Sequence, residues 1–166
     1  MFDKMRVVRA FVFDVDGVLT NNELLVTEAG EYLRTMHVRD GQALKWAMAA
    51  GYPIAFITGG TSEGVKKRIT QHLGISEYYS GVSDKTVAFQ SFMQRTGIFS
   101  TEICYMGDDL PDIPPMRKSA LACCPADAVP EVMAVCDYIS PLPGGACCVR
   151  DVLEKVMKIQ GKWPKY

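Results

Sequence analysis

Two aspartates one residue apart, Asp14 and Asp16, close the apolar run Phe11-Val12-Phe13 and are followed by Gly17. With that spacing one carboxylate can attack while the other manages protons. An ionised carboxylate is costly inside a sheet, so the pair is expected where the strand stops. Taken alone, both residues read equally well as caps of a loop, because Asp bonds nearby backbone N–H groups. A second acidic cluster, Gly107-Asp108-Asp109-Leu110-Pro111-Asp112, also directly follows an apolar run, Ile103-Cys104-Tyr105-Met106. Two acid clusters at two strand ends can share a hard cation, and oxygen donors of this kind suit Mg²⁺.

Two further strand ends carry complementary groups. Pro53-Ile54-Ala55-Phe56-Ile57 leads into Thr58-Gly59-Gly60-Thr61-Ser62, where a hydroxyl and glycine-freed N–H groups precede a helix and suit an anion. Thr61 or Ser62 also serves as an ordinary helix cap, and capping does not compete with anion binding. Lys85 opens a helical stretch after Tyr78-Tyr79-Ser80-Gly81-Val82-Ser83-Asp84. A lone lysine is most often a solvated surface residue, but a cation is unfavourable at a helix start, which marks this one out.

The elements that must position these groups alternate. Helices are expected over Asp40 to Ala50, Ser62 to Leu73 and Asp84 to Thr96, closed by Gly51, Gly74 and Gly97. Shorter helices follow at about Ile113 to Ser119 and Pro130 to Val135. A strand is expected at Ala120 to Cys124 and a last helix at Cys148 to Gln160. Strands alternating with helices predict an α/β fold with a doubly wound parallel sheet. One segment breaks the alternation: Leu24 to His37 reads as a β-hairpin inserted after the first strand, turning at Thr27-Glu28-Ala29-Gly30-Glu31. A two-stranded hairpin is marginal alone, so its apolar side chains imply a partner.

The 166 residues fit one domain, 1–166, with a net charge of −1 and no basic run. That balance excludes nucleic acid and acidic membrane surfaces as expected partners. The run Val7 to Phe13 is too short and too charged for a signal peptide or a membrane span, which predicts a cytoplasmic chain. Six cysteines, Cys104, Cys123, Cys124, Cys136, Cys147 and Cys148, form no C-x-x-C spacing, and neither His37 nor His72 lies near them in sequence. Reduced thiols are expected rather than zinc or disulfides. His37 is read as a packing or interface residue.

Asp-x-Asp, Thr, Lys and Gly-Asp-Asp-x-x-Asp, in this order over nearly the whole chain, resemble the motifs of the haloacid dehalogenase superfamily of phosphotransferases. The pattern is most similar to a capless branch, the 3-deoxy-D-manno-octulosonate 8-phosphate phosphatases. Shared features include Val38-Arg39-Asp40-Gly41, Ile57-Thr58-Gly59 and a Gly144-Gly145 turn followed by Val149-Arg150. The resemblance implies a phosphatase of lipopolysaccharide sugar biosynthesis that uses Mg²⁺. Asp14 is then the nucleophile and Asp16 the acid and base; Asp14, the Asp16 carbonyl and Asp108 hold the metal. Thr58, Gly59 and Lys85 hold the phosphate, and Asp109 and Asp112 orient Lys85, metal-bound water or the motif loop. It also implies a homotetramer whose hairpins meet at its centre.

Arg39, Arg68 and Arg150 are the candidate contacts for a sugar carboxylate. Two departures bear on that sugar. The family often has a basic residue after Thr-Gly, where Gly60 stands, and its turn usually reads Gly-Gly-x-Gly-Ala-x-Arg, where Cys147 replaces the third glycine. A nine-carbon ulosonate 9-phosphate is therefore an alternative substrate. A catalytically idle oligomerisation domain related to sugar nucleotidyltransferase partners is an alternative of another class. A phospho-accepting receiver domain uses similar residues but clusters its acids differently, and the Asp14-Val15-Asp16 spacing disfavours it.

Overall fold

In a computed structural model, described here for residues 1–165, the chain forms a six-stranded parallel sheet with helices on both faces. In chain order the elements are α1 (Phe2–Val7), β1 (Ala10–Phe13), β2 (Leu25–Val26), β3 (Tyr32–Leu33), α2 (Val38–Ala49) and β4 (Ile54–Ile57). They continue with α3 (Glu63–Lys66), which runs on as a π-helical turn over Lys67–His72, then β5 (Glu77–Tyr79), α4 (Lys85–Thr96) and β6 (Ile103–Met106). The last are α5 (Ile113–Met116), β7 (Leu121–Cys124), α6 (Pro130–Met133), β8 (Tyr138–Ile139) and α7 (Cys148–Ile159). The sheet order is β5-β4-β1-β6-β7-β8. β2 and β3 pair antiparallel as a separate hairpin, Leu25 opposite Leu33 and Val26 opposite Tyr32.

Alternation along each strand divides the core. Phe11 and Phe13 of β1, Phe56 of β4, Met106 of β6 and Cys123 of β7 face one side, where they meet Leu44 of α2 and Val152, Leu153 and Val156 of α7. Val12, Ala55, Ile57, Tyr105 and Cys124 face the other side, against Phe89 and Phe92 of α4, Met116 and Val132. Strands buried on both faces read as unbroken apolar runs, which is why they stood out in the sequence.

The chain leaves β1 for β4 and β5 on one side, then returns past β1 to β6, β7 and β8 on the other. The strand order reverses between β1 and β6, and a crevice opens there at the carboxyl ends of the strands. Asp14 follows β1 and Gly107-Asp108 follows β6, so topology alone brings the two acidic clusters together.

Several expected elements differ. The segment Val7 to Phe13 is divided: α1 ends at Val7 and β1 starts at Ala10. The helix expected to run to Leu73 changes after Lys66 to π-turns, with Leu73 N–H bonded to the Arg68 carbonyl, and both Ile69 and Leu73 stay in the core. Hairpin strands are two residues each. α1 and β8 carried no strong signal. Met5 alone is buried in α1, which docks on the end of α7 as Gln160 Nε2 donates to the carbonyls of Met5 and Val8. Among the described residues, no helix is long and apolar enough to cross a membrane.

Candidate active site

β1 hands the chain to Asp14, whose N–H donates to the Met106 carbonyl at 3.0 Å and so ties the first acid to the end of β6. The following turn closes on the Val15 carbonyl, which accepts from the N–H groups of Val18, Leu19 and Thr20. Gly17 lies at φ +90°, and a Cβ there would stand 2.0 Å from Asp108 Oδ2, so only glycine lets the two loops approach. The Gly144-Gly145 turn backs this loop, with Gly145 N–H donating to the Val18 carbonyl at 3.0 Å.

Asp112 organises the acidic cluster. Its Oδ1 accepts from Lys85 Nζ at 2.7 Å and from the Tyr105 hydroxyl at 2.9 Å, while Oδ2 accepts from the N–H groups of Asp108 and Asp109. Lys85 Nζ also lies 3.0 Å from Asp14 Oδ1. The awkward cation at the start of α4 is thus a buried lysine shared by two carboxylates, and Asp84 supplies the cap through Thr86 N–H. Burial alone would push Lys85 down, but Asp112 and Asp14 together hold its ammonium above the ordinary range. Burial, then the negative charge of Asp112, raises Asp14 to about 6 against the opposing pull of Lys85. Burial, then Asp14 and Asp112, raises Asp108 to about 8.

One oxygen each from Asp14, Asp108 and Asp112 lies within 4.8 Å of the others, a spacing open to a metal ion. Asp112 is already saturated with donors. Asp108 Oδ1 is buried without a hydrogen-bond partner, and an orphan carboxylate oxygen beside a second carboxylate is the electrostatic signature of an oxygen-ligated cation site. The residues therefore fit Mg²⁺, with Asp14 and Asp108 the side chains that could hold it. Asp16 stands outside this group, and its carboxylate pairs with Arg34.

Asp14, Asp16, Thr58, Gly59, Gly60, Lys85, Asp108 and Asp109 line one cavity of about 270 Å³. Thr58 is nearly buried, with its N–H given to the Tyr79 carbonyl and its hydroxyl oxygen accepting from Gly60 N–H at 3.1 Å. Ser62, not Thr61, caps α3 through Val65 N–H. Asp109 Oδ1 accepts from Leu110 N–H and so holds the turn that delivers Asp112.

The arginines separate. Arg68 lines a neighbouring hollow of about 430 Å³ with Tyr32, Arg34, Met36 and Ser62. Arg39 and Arg150 line a different hollow with Cys147, Asp151 and Glu154, apart from the cavity that holds Asp14, Asp16 and Asp108. Arg150 is held by structure, stacked over Trp46 and Trp163 at 5.5 Å each and paired with Glu154. His37 is the N-terminal cap of α2, accepting from Arg39 N–H.

Two residues of the site escaped the sequence reading. Asn22, at φ 64°, sends Nδ2 to Asp108 Oδ2 at 3.3 Å. Arg34 sends Nε to Asp16 Oδ1 at 2.5 Å. The signal for Arg34 was a basic residue in an otherwise apolar hairpin arm.

No family model matches the chain. Among curated proteins, the 3-deoxy-D-manno-octulosonate 8-phosphate phosphatase of Escherichia coli strain K12 is 36% identical over 155 residues, 93% of this chain and 82% of that relative. The chain belongs to the 3-deoxy-D-manno-octulosonate 8-phosphate phosphatase family. The family enzyme of Yersinia pestis matches in structure with a TM-score of 0.94 at 30% identity, over 97% of this chain and 86% of that one. The Moraxella catarrhalis phosphatase of this family, solved with magnesium, phosphate and the 3-deoxy-octulosonate sugar, matches with a TM-score of 0.92 at 32% identity, over 96% and 91% of the two chains. Cys147 lies at φ 78°, in the left-handed region that favours glycine.

Proposed function

We propose that this chain is a Mg²⁺-dependent phosphatase that hydrolyses 3-deoxy-D-manno-octulosonate 8-phosphate to the free sugar acid and phosphate. The observation that carries the reading is the convergence of Asp14, Asp16, Thr58, Lys85 and Asp108 on one cavity, in a chain of this family. The comparisons favour neither the nine-carbon substrate nor an idle oligomerisation domain.

In this reading an Asp14 carboxylate oxygen attacks phosphorus, and the bond from phosphorus to the sugar oxygen breaks. Asp16 gives that oxygen its proton and then takes one from the water that hydrolyses the aspartyl-phosphate. Thr58, the Gly59 N–H and Lys85 hold the phosphoryl oxygens, while Asp112 and Asp109 keep Lys85 and the loop in place. Mg²⁺, when held by Asp14, Asp108 and the Asp16 carbonyl, offsets the charge repulsion between nucleophile and phosphate. Arg68 is the candidate for the sugar carboxylate within this chain; Arg39 and Arg150 would reach a sugar only across an assembly.

Such an assembly is the second part of the proposal. Leu25, Val26, Tyr32 and Leu33 of the hairpin are exposed, which supports a homotetramer built on the hairpins. Replacing Leu25 and Leu33 together with lysine is expected to dissociate it in light scattering. An unchanged tetramer in that variant removes the hairpins from the interface. All six cysteines are free thiols, in keeping with one cytoplasmic domain in a reducing compartment.

The deciding experiment is phosphate release from a panel of sugar phosphates with Mg²⁺ or with chelator, on wild-type and Asp14→Asn protein. Hydrolysis of the eight-carbon ulosonate phosphate is expected to exceed that of hexose phosphates, to need Mg²⁺, and to fall by several decades in Asp14→Asn. Full activity of Asp14→Asn would refute the covalent mechanism. Tenfold better turnover of the nine-carbon ester would reassign the sugar.

A further inference from the structure

The arm that follows β3 turns Arg34 inward. Leu25, Val26, Tyr32 and Leu33 are 46–66% exposed, whereas the side chain of Arg34, one residue beyond β3, is 11% exposed. Its Nε donates to Asp16 Oδ1 at 2.5 Å and Nη2 stands 3.5 Å from Oδ2, so the guanidinium fork lies along the carboxylate. Nη1 reaches back to the Tyr32 carbonyl of its own strand at 3.5 Å.

The two oxygens of Asp16 are therefore unequal. Oδ1 is held tightly. Oδ2 is held loosely and looks toward Gly60, where a Cβ would stand 3.1 Å from Oδ2 and 3.7 Å from Arg34 Nη2. Asp16 sits in a turn and is a third exposed. Without the fork its carboxyl would be free to rotate among staggered positions.

We propose that Arg34 is a positioning residue for the leaving-group step: by pinning Oδ1 it presents Asp16 Oδ2 to the oxygen that departs from phosphorus. This rests on the phosphatase reading above. The hairpin then contributes to the chemistry directly as well as to assembly, because a displaced hairpin releases the acid. A planar fork fixes both the place and the plane of the carboxyl, which a lysine ammonium does not.

The test uses two aryl esters without a carboxylate, p-nitrophenyl phosphate, whose leaving group departs without a proton, and phenyl phosphate, whose leaving group benefits from one. In Arg34→Met with Mg²⁺, kcat/KM is expected to fall at least tenfold more on phenyl phosphate than on p-nitrophenyl phosphate, with Arg34→Lys recovering only part of the difference. On the ulosonate phosphate, Arg34→Met added to Asp16→Asn is expected to cost no further activity, because the group it positions is gone.

Equal losses on both esters, no loss on either, or an additive double variant would overturn the role and leave Arg34 as a hairpin anchor or substrate contact. These outcomes leave the phosphatase reading standing. A wild-type chain that hydrolyses none of the three esters overturns that reading and the role of Arg34 with it.

Discussion

Replacing Lys85 with methionine removes one buried ammonium while keeping its length and apolar stem. Two contacts vanish, 2.7 Å to Asp112 and 3.0 Å to Asp14. Asp112 Oδ1 keeps the Tyr105 hydroxyl, but Asp14 loses the group that opposes its protonation. Removing one partner from a buried ion pair costs about 3–5 kcal/mol when the other stays charged. Asp14 escapes that cost by taking a proton, which becomes easier as pH falls toward and below its value of about 6. The destabilisation of metal-free Lys85→Met is therefore expected to be about 3–5 kcal/mol at pH 8 and to be smaller at pH 5. With Mg²⁺ present, kcat is expected to fall by about 10²–10³, the usual loss for one donor aimed at charge developing in a transition state. Urea unfolding in chelator at the two pH values and steady-state phosphate release measure both effects. A pH-independent loss of stability, or wild-type turnover, would show that Lys85 does not neutralise Asp14.

Chelated protein should melt at progressively lower temperature as pH rises from about 5 to 9. The folded state holds protons on Asp14 and Asp108 at about 6 and about 8 that the unfolded chain, near 3.8, has lost; this stabilisation is full below 3.8 and disappears as pH climbs through the folded values. Mg²⁺ titrated into the same melts should raise the transition most at the alkaline end, by about 2.7 kcal/mol at a hundred times its Kd. Gly17→Ala should weaken Mg²⁺ binding in calorimetry and lower activity, because its Cβ would displace Asp108 Oδ2 from 2.0 Å. Cys147→Gly should stabilise the chain by about 1 kcal/mol in urea unfolding by relieving a left-handed backbone on a residue with a Cβ; a lower stability would mean that the contact of its thiol with His37 Nδ1, at 3.2 Å, matters more.

The sheet strands, the larger helices and most of the site were legible because their causes are local. β1, β4, β6 and β7 are buried on both faces and so are apolar throughout, and the polar groups that cannot enter them, Asp14, Thr58 and Asp108, stand at their ends. Glycine closes α4 in the left-handed conformation its position forecast. Short elements were not legible: two residues of β8 hold too little pattern, and α1 has one buried side chain. The π-turn after Lys66 leaves no mark in an apolar spacing that an α-helix would also satisfy.

Sequence alone determined which residue types could carry the chemistry and which strand ends they occupy. Only the tertiary structure decided their pairing. Lys85 and Asp112 are 27 positions apart and meet because the sheet reverses its order between β1 and β6. Arg34 and Asp16 are 18 apart and meet because the hairpin folds back over the β1 turn. Arg150, as plausible an anion ligand as Arg68 by residue type, lies over two tryptophan rings instead. A carboxylate or guanidinium declares its charge in the sequence, but its partner depends on through-space distances of a few ångströms that chain separation does not encode.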